Sequence, residues 1–159
     1  DRPPDALFFQ DSRLGPAAAA IICRTLLRLL VYTEFAANVV TFPAQVGRVQ
    51  AHQFRIHKHT AIAEFLAPPV IQELNSYYRA LIDGAHVPFK DRRCDRYYAY
   101  HDVVGRFVLG LCQPVMRRLI GVDIKPSYTY FIEYVPGSEL TPHTDREQCE
   151  FVVSIQLQL

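Results

Sequence analysis

The chain has 159 residues, of which 50% are hydrophobic and 21% are charged, with a formal net charge of +1. This length fits one domain with a sizeable core, and the balance of charges gives no electrostatic reason to expect nucleic acid or an anionic membrane as a partner. We also expect no membrane span and no signal peptide, because charged residues interrupt the apolar stretches and no positively charged leader is recognisable.

The cysteines are scattered and form no Cys-x-x-Cys pair; they are Cys23, Cys94, Cys112 and Cys149. A disulfide framework is not expected for such spacing in a chain of this length. Reduced thiols are typical of the cytosol, so we expect a cytoplasmic protein.

The first predicted helix covers residues 16–34 and begins at Pro16, a residue that suits a first helical turn. Its buried face is predicted from residues at helical spacing, namely Ile22, Leu26, Leu29 and Thr33. Leu27, Leu30 and Val31 extend this apolar face, so we expect the helix to be well buried.

A short strand, rather than a helix, is predicted within residues 35–60. Three residues alternate there with polar neighbours, namely His52, Phe54 and Ile56, and a period of two is typical of a strand. His57 and His59 have the spacing of metal ligands, but they lie among basic residues, and we interpret them as exposed histidines.

Two more helices are predicted. One covers residues 68–83, begins at a pair of prolines and ends before Gly84. Its apolar stripe consists of Val70, Leu74, Tyr77 and Leu81, which indicates packing rather than function. Asp102 can cap the other helix, which runs to Ile120 and ends at Gly121.

Strands are predicted towards the end of the chain, after a loop over residues 84–101 with a tyrosine-rich end. Residues 127–134 are rich in aromatic and β-branched side chains, which favours a strand. Residues 151–159 alternate apolar and polar side chains, which predicts a half-buried strand. Helices followed by strands indicate an α+β fold.

The most informative stretch reads Tyr-Val-Pro-Gly-Ser-Glu-Leu-Thr-Pro-His-Thr-Asp and ends in the pair His143 and Asp145. In an extended segment, side chains two residues apart point to the same side. One imidazole and one carboxylate could therefore reach one metal ion. A second His would complete the facial triad that suits non-haem Fe(II). A turn residue and a capping Asp are the alternative, since His-x-Asp is common by chance.

Residues from Ser127 to Leu159 resemble the Fe(II)/2-oxoglutarate-dependent oxygenases of the prolyl-4-hydroxylase type. The tyrosine, the Pro-Gly turn, the His-x-Asp pair and the next strand follow the family's order and spacing. The resemblance implies a double-stranded β-helix, a cupin-like jelly roll, buttressed by N-terminal helices. It thus implies one domain over 1–159, with a mainly helical region at 1–121 and the first β-helix strands at 122–159.

The resemblance also implies a site. His143 and Asp145 would bind Fe(II), with 2-oxoglutarate as cosubstrate and ascorbate as an auxiliary reductant. Tyr134 would line the oxoacid pocket; Tyr128 and Tyr130 are further candidates, with an aromatic packing row as the alternative. A carboxylate at Asp145 favours hydroxylation, because halogenating relatives have a small residue there. The implied reaction is hydroxylation of an unactivated C–H bond in a peptide or small molecule.

Two elements of the family pattern have no counterpart in this sequence. The family needs a distal His and a basic residue for the far carboxylate of 2-oxoglutarate, yet no His follows His143. We therefore expect an incomplete chain, with its C-terminal strands missing or supplied by another chain. A non-catalytic β-helix binding module and a cupin-like metalloenzyme that does not use 2-oxoglutarate stay open as alternatives.

Overall fold

A computed structural model describes four stretches of the chain, residues 15–35, 44–90, 94–147 and 149–157. The helices in these stretches are α1 (Pro16–Phe35), α2 (Ala44–His57), α3 (Pro68–Asp83) and α4 (Val103–Ile120). The strands are β1 (Arg96–Tyr100) and β2 (Tyr130–Tyr134). The described architecture is therefore mixed, with helices packed beside a two-stranded sheet.

Helix α1 confirms the first predicted helix but is less buried than expected. Ile22 and Leu29 are buried against α3 and α4. Leu27 is 64% exposed and Leu30 is 45% exposed. The predicted widening of the buried face is therefore wrong at Leu27 and Leu30, whereas the side chains of Val31 and Thr33 lie outside the described part of the structure.

Helix α2 overturns the strand predicted around residues 52–57. Its half-buried residues follow helical spacing, namely Gly47, Gln50, Ala51 and Phe54, and α2 packs against α4. Val49 and Ile56 lie on the exposed side. Apolar and polar residues can alternate over so few positions in a helix as well as in a strand. Packing against α4 stabilises the helical conformation here.

Helices α3 and α4 confirm the other two predicted helices. The predicted stripe of α3 is buried throughout: Val70, Leu74, Tyr77 and Leu81. At the start of α4, Asp102 Oδ1 accepts hydrogen bonds from the backbone N–H groups of Val104 at 3.1 Å and Gly105 at 3.0 Å. Gly121 ends α4 with a φ of 83°, a left-handed conformation that glycine adopts at little cost.

The Asp102 carboxylate is also the centre of a buried network that the sequence does not reveal. Tyr77 Oη donates to Oδ1 at 3.0 Å, and Tyr78 Oη donates to Oδ2 at 3.0 Å. Burial, together with the nearby carboxylate, raises the pKa of both tyrosines well above the ordinary range. Because both tyrosines belong to α3, the network fixes the N-terminus of α4 to α3.

Strand β1 shows that the prediction of a loop over residues 84–101 is wrong at its tyrosine-rich end. It pairs antiparallel with β2, with Arg96 opposite Tyr134 and Tyr100 opposite Tyr130. Strand β2 itself was predicted. A strand rich in tyrosine forms here because aromatic side chains pack well on a pleated surface when a partner strand is present.

One face of this sheet packs on the helices. Alternation along the strands directs Tyr97 and Ala99 to this face, and they join the core together with Phe131. Phe131 stacks on Tyr78 of α3, with ring centroids 3.8 Å apart and an interplanar angle of 2°. The sheet is thereby anchored beside the Asp102 network, and its opposite face points away from the helices.

Residues 151–157 follow the core without forming a strand, so the prediction of a strand at 151–159 is wrong over this range, and residues 158 and 159 lie outside the described part. Ile155 and Leu157 pack against the core. Asn75 Nδ2 donates to the Leu157 carbonyl at 2.6 Å. The alternation predicted the inward direction of Ile155 and Leu157, but Val153, predicted on the same side, is 42% exposed. The backbone partner is here the Asn75 side chain rather than a neighbouring strand.

The described helices and strands agree with a mixed α and β architecture. One antiparallel pair of strands is compatible with a double-stranded β-helix and with many other folds, so the jelly roll stays a prediction. In the stretches the structure describes, we find no helix with both the length and the apolar character needed to cross a membrane.

Candidate metal centre

The face of the sheet that points away from the helices is lined mainly by tyrosines. Strand alternation places six side chains on it, and we call them the tyrosine face: Arg96, Tyr98, Tyr100, Tyr130, Ile132 and Tyr134. The ring centroid of Tyr130 lies 5.8 Å from that of Tyr98 and 6.1 Å from that of Tyr100. Tyr128 extends the cluster, 5.2 Å from Tyr100. Aromatic packing of Tyr128 and Tyr130 is therefore present, which leaves their proposed contact with an oxoacid untested.

Arg96 is the charged member of the tyrosine face. Its guanidinium carbon lies 5.4 Å from the ring centre of Tyr130 and 5.7 Å from that of Tyr134. Its Nη1 donates to Tyr134 Oη at 3.2 Å. Cation–π contact and this hydrogen bond hold the Tyr134 hydroxyl, while 45% of Tyr134 stays exposed. Tyr134 can therefore still contact a ligand.

The segment that carries the His-x-Asp pair is attached to the sheet at both ends. We call residues 138–147 the His-Asp loop. At its start, Ser138 Oγ donates to the Asp95 carbonyl, next to the first residue of β1. At its end, the Arg146 guanidinium carbon lies 5.3 Å from the ring centre of Tyr100 and 5.2 Å from that of Tyr128. The loop therefore runs beside the tyrosine face between two points of attachment.

His143 and Asp145 lie in this loop, after the predicted Pro-Gly turn, in which Gly137 has a φ of 83°. His143 Nε2 and Asp145 Oδ1 are 4.0 Å apart, and the two side chains are 32% and 54% exposed. His143 Nδ1 lies 3.0 Å from the Thr141 carbonyl. With the proton on Nδ1, this contact is a hydrogen bond that leaves the Nε2 lone pair directed away from the backbone.

The geometry of the pair fits two ligands of one metal after a small adjustment. Two ligand atoms at right angles, each about 2.1 Å from the ion, lie about 3 Å apart. The observed 4.0 Å must therefore shorten by roughly 1 Å, which side-chain rotation can supply because neither group is buried. A metal-ligating His usually donates its other ring N–H to a carbonyl or carboxylate, and the Thr141 carbonyl fills that role.

The surroundings of the pair differ from those of a complete metal site on a strand. The pair lies on an irregular loop rather than on a strand. A cleft of about 360 Å³ lies elsewhere, lined by Phe54, Arg55, Lys58, Ile120, Glu150 and Phe151. Over the described residues, no group of three or more His, Cys, Asp or Glu side chains is placed to hold a metal ion. His143 and Asp145 are thus a pair of potential ligands without a third in this part of the chain.

Tyr128 has the most altered environment beside the loop. Cys149 Sγ donates to its hydroxyl at 3.1 Å. Burial of the side chain raises the pKa of Tyr128 to about 12. The hydroxyl is therefore protonated at neutral pH and can donate to an oxyanion, which is the chemistry an oxoacid carboxylate requires.

Sequence reasoning did not predict the contacts of the two arginines beside this site. Arg146 stacks on two tyrosines, and its Nη1 donates to Tyr100 Oη at 3.3 Å. Arg96 belongs to a region predicted as a loop. The contacts of Arg96 become visible only with the register of β1 and β2, and those of Arg146 only with the path of the His-Asp loop. His57 and His59 are exposed, as predicted.

No family model, no curated protein and no solved structure matches this chain. The resemblance to the oxygenases therefore rests on the residues of the motif alone.

Proposed function

We propose that the protein is an Fe(II)- and 2-oxoglutarate-dependent oxygenase that hydroxylates an unactivated C–H bond of a peptide or small molecule. The observation that supports this most is the pair in the His-Asp loop. An imidazole and a carboxylate approach each other at 4.0 Å, and a backbone carbonyl orients the imidazole. An imidazole and a carboxylate are two of the three ligands of the facial triad that suits non-haem Fe(II).

In this proposal each residue has a defined task. His143 Nε2 and Asp145 Oδ1 hold the ion, and the Thr141 carbonyl keeps the imidazole in the tautomer that binds metal. The Tyr134 and Tyr128 hydroxyls donate hydrogen bonds to the oxoacid. Iron and 2-oxoglutarate, when bound, supply the oxidising chemistry, while the protein orients the reactants.

The position of the pair beside the tyrosine face is a second support. The helices cover the other face of the sheet, whereas Tyr134 on this face is 45% exposed and accessible to a ligand. Aromatic rings around a bound anion would limit its contact with water, and exclusion of water strengthens the electrostatic contacts of an anion. A pocket closed on this side would place the oxoacid between the tyrosines and the ion.

Metal and cosubstrate binding test the proposal directly. Without oxygen, the protein with Fe(II) and 2-oxoglutarate should show the weak visible charge-transfer band of a chelated oxoacid. Asp145→Ala should lose the band because one anionic ligand is gone. Asp123→Ala removes a carboxylate that is 80% exposed and paired with Arg117 on α4, so it serves as a matched control and should keep the band.

The other outcomes of this test identify the alternatives. Metal binding that depends on Asp145, with no effect of 2-oxoglutarate, would indicate a cupin-like metalloenzyme. The absence of any metal binding by the wild-type protein would favour a non-catalytic binding module. An unchanged band in Asp145→Ala would place the metal elsewhere and refute the site.

We further propose that the protein acts in the cytoplasm. No disulfide joins Cys23, Cys112 or Cys149, which fits a reducing compartment. Treatment with a thiol-alkylating reagent of protein taken directly from cells should modify the exposed Cys23; protection by a disulfide would contradict this assignment.

A further inference from the structure

We propose that Arg146 is a positioning residue, which fixes the His-Asp loop on the tyrosine face so that His143 and Asp145 stay within reach of one metal ion. This inference rests on the proposed function, because it assigns a role towards the same ion. Arg146 follows Asp145 directly in the chain, so whatever holds the arginine also limits the movement of the carboxylate.

The contacts of Arg146 hold it on two sides. Its guanidinium lies over the rings of Tyr100 and Tyr128, 5.3 and 5.2 Å from their centres. Its Nη1 also donates to Tyr100 Oη at 3.3 Å. Tyr100 belongs to β1, and its partner in the register is Tyr130. The arginine therefore connects the end of an irregular loop to the regular sheet.

A second attachment closes the same end of the loop. The Cys149 backbone N–H donates to the Arg146 carbonyl at 2.8 Å, and Cys149 Sγ donates to Tyr128 Oη at 3.1 Å. Tyr128 thus accepts contacts from both Arg146 and Cys149. The ligand pair lies upstream of this cluster and downstream of Ser138, which is bonded to the Asp95 carbonyl.

Electrostatics and positioning predict opposite effects for the same substitution, which makes the role testable. A guanidinium next to Asp145 repels a divalent cation, so removal of the charge alone should strengthen metal binding. If Arg146 instead positions the ligands, its removal should weaken binding, because loss of the groups that orient metal ligands costs about 10- to 100-fold in affinity.

The probe is Co(II) alone, titrated into the metal-free protein and followed by its visible absorption. We expect Arg146→Gln to raise the Kd at least about tenfold. Arg146→Lys keeps the charge but replaces the planar, stacking group with a flexible ammonium, and it should lose affinity as well. Arg117→Gln makes the same change in net charge at an exposed ion pair on α4, and its Kd should stay within about twofold of wild type.

Backbone dynamics distinguish failure of this inference from failure of the proposed function. In the metal-free protein, the amides of His143, Thr144 and Asp145 should have heteronuclear NOE values close to those of the sheet, and these values should fall in Arg146→Gln. If the values fall but wild-type protein binds no Co(II), the positioning role stands and the iron site is refuted. If wild type binds Co(II) and Arg146→Gln binds it equally or more tightly, the positioning role is refuted.

Discussion

Two carboxylates occupy opposite environments in this chain. Asp102 is 0% exposed and accepts hydrogen bonds from Tyr77, Tyr78 and two backbone N–H groups. The side chain of Asp145 is 54% exposed, and its described side-chain contact is the approach of His143 at 4.0 Å. The oxygens of Asp102 accept hydrogen bonds that hold the fold together, whereas the oxygens of Asp145 are accessible to a ligand.

This difference separates a carboxylate used by the fold from one whose oxygens are accessible to a ligand. A buried carboxylate must be fully hydrogen-bonded to remain in the fold. A carboxylate that binds metal must instead keep its oxygens free and reach the ion with little rearrangement. Asp102 meets the first condition and Asp145 the second, so substitutions at the two positions should affect different properties.

The largest effect on stability is expected for Asp102→Ala. It removes the cap of α4, worth about 1 kcal/mol, and leaves the hydroxyls of Tyr77 and Tyr78 buried without an acceptor, at about 1 to 3 kcal/mol each. We expect the free energy of unfolding, from urea denaturation followed by circular dichroism, to fall by about 3 to 5 kcal/mol. Asp123→Ala, at an exposed ion pair, should cost less than about 0.5 kcal/mol.

Similar costs for Asp102→Ala and Asp123→Ala would show that the buried network does not hold α3 and α4 together. Burial of the carboxylate would then not determine how much its removal lowers the free energy of unfolding.

The next effect concerns how closely Thr129, the residue before β2, approaches Gly105 of α4. A Cβ added at Gly105 would lie 2.6 Å from Thr129 Oγ1 and 2.8 Å from Asp102 Oδ2, whereas one added at Gly110 would meet nothing within 4 Å. We expect Gly105→Ala to destabilise the protein by about 2 kcal/mol through overpacking. Gly110→Ala, in the same helix, should stabilise it by up to about 1 kcal/mol. Equal signs for the two variants in urea denaturation would contradict the close approach.

A further effect, which depends on pH, is expected under alkaline conditions. Tyrosine ionises near pH 10 in an unfolded chain, and burial beside Asp102 keeps the pKa of Tyr77 and Tyr78 higher in the folded state. Above about pH 10 the unfolded state releases protons that the folded state retains, so stability falls by about 1.4 kcal/mol per pH unit for each tyrosine. Below about pH 9 this contribution is constant.

Urea denaturation between pH 8 and pH 11 measures this slope. Tyr78→Phe should reduce it, because one of the two tyrosines no longer titrates in the unfolded state. A slope that is the same in wild type and Tyr78→Phe would show that the ionisation of Tyr78 is not coupled to folding.

The predictability of the fold from sequence depends on whether the deciding interaction is local. Helices α3 and α4 were predicted because their start and stop signals act within a few residues. These signals are the two prolines and Gly84 for α3, and the Asp102 cap and Gly121 for α4. Strand β1 and helix α2 were not, since pairing with β2 and packing against α4 decide them. The alternation at 151–157 is real, but a strand also needs a partner for its backbone.

The candidate site divides in the same way. His143, Asp145 and the tyrosines were identified because they follow one another in a recognisable order along the chain. The stack of Arg146 on Tyr100 joins residues 46 positions apart, and that of Arg96 on Tyr134 joins residues 38 positions apart. The contact of Arg96 follows from strand register, which the sequence did not provide for β1. The contact of Arg146 follows from the path of the His-Asp loop, which local sequence does not determine either.

The smallest effect on stability, and the one that tests the comparison most closely, is expected for Asp145→Ala. Its side chain is 54% exposed and lies on a loop, so the free energy of unfolding without metal should change by less than about 0.5 kcal/mol. With Co(II) in excess the two proteins should diverge, because a ligand that binds only the folded state stabilises it in proportion to RT ln(1 + [L]/Kd). In thermal denaturation, Co(II) should therefore raise the Tm of the wild type but not that of Asp145→Ala.

A loss of more than about 1.5 kcal/mol without metal would make Asp145 a structural carboxylate like Asp102, since substitutions of exposed side chains away from caps and buried networks rarely cost that much. An equal rise in Tm for both proteins would instead mean that Co(II) binds at a different site, and Asp145 would have neither role.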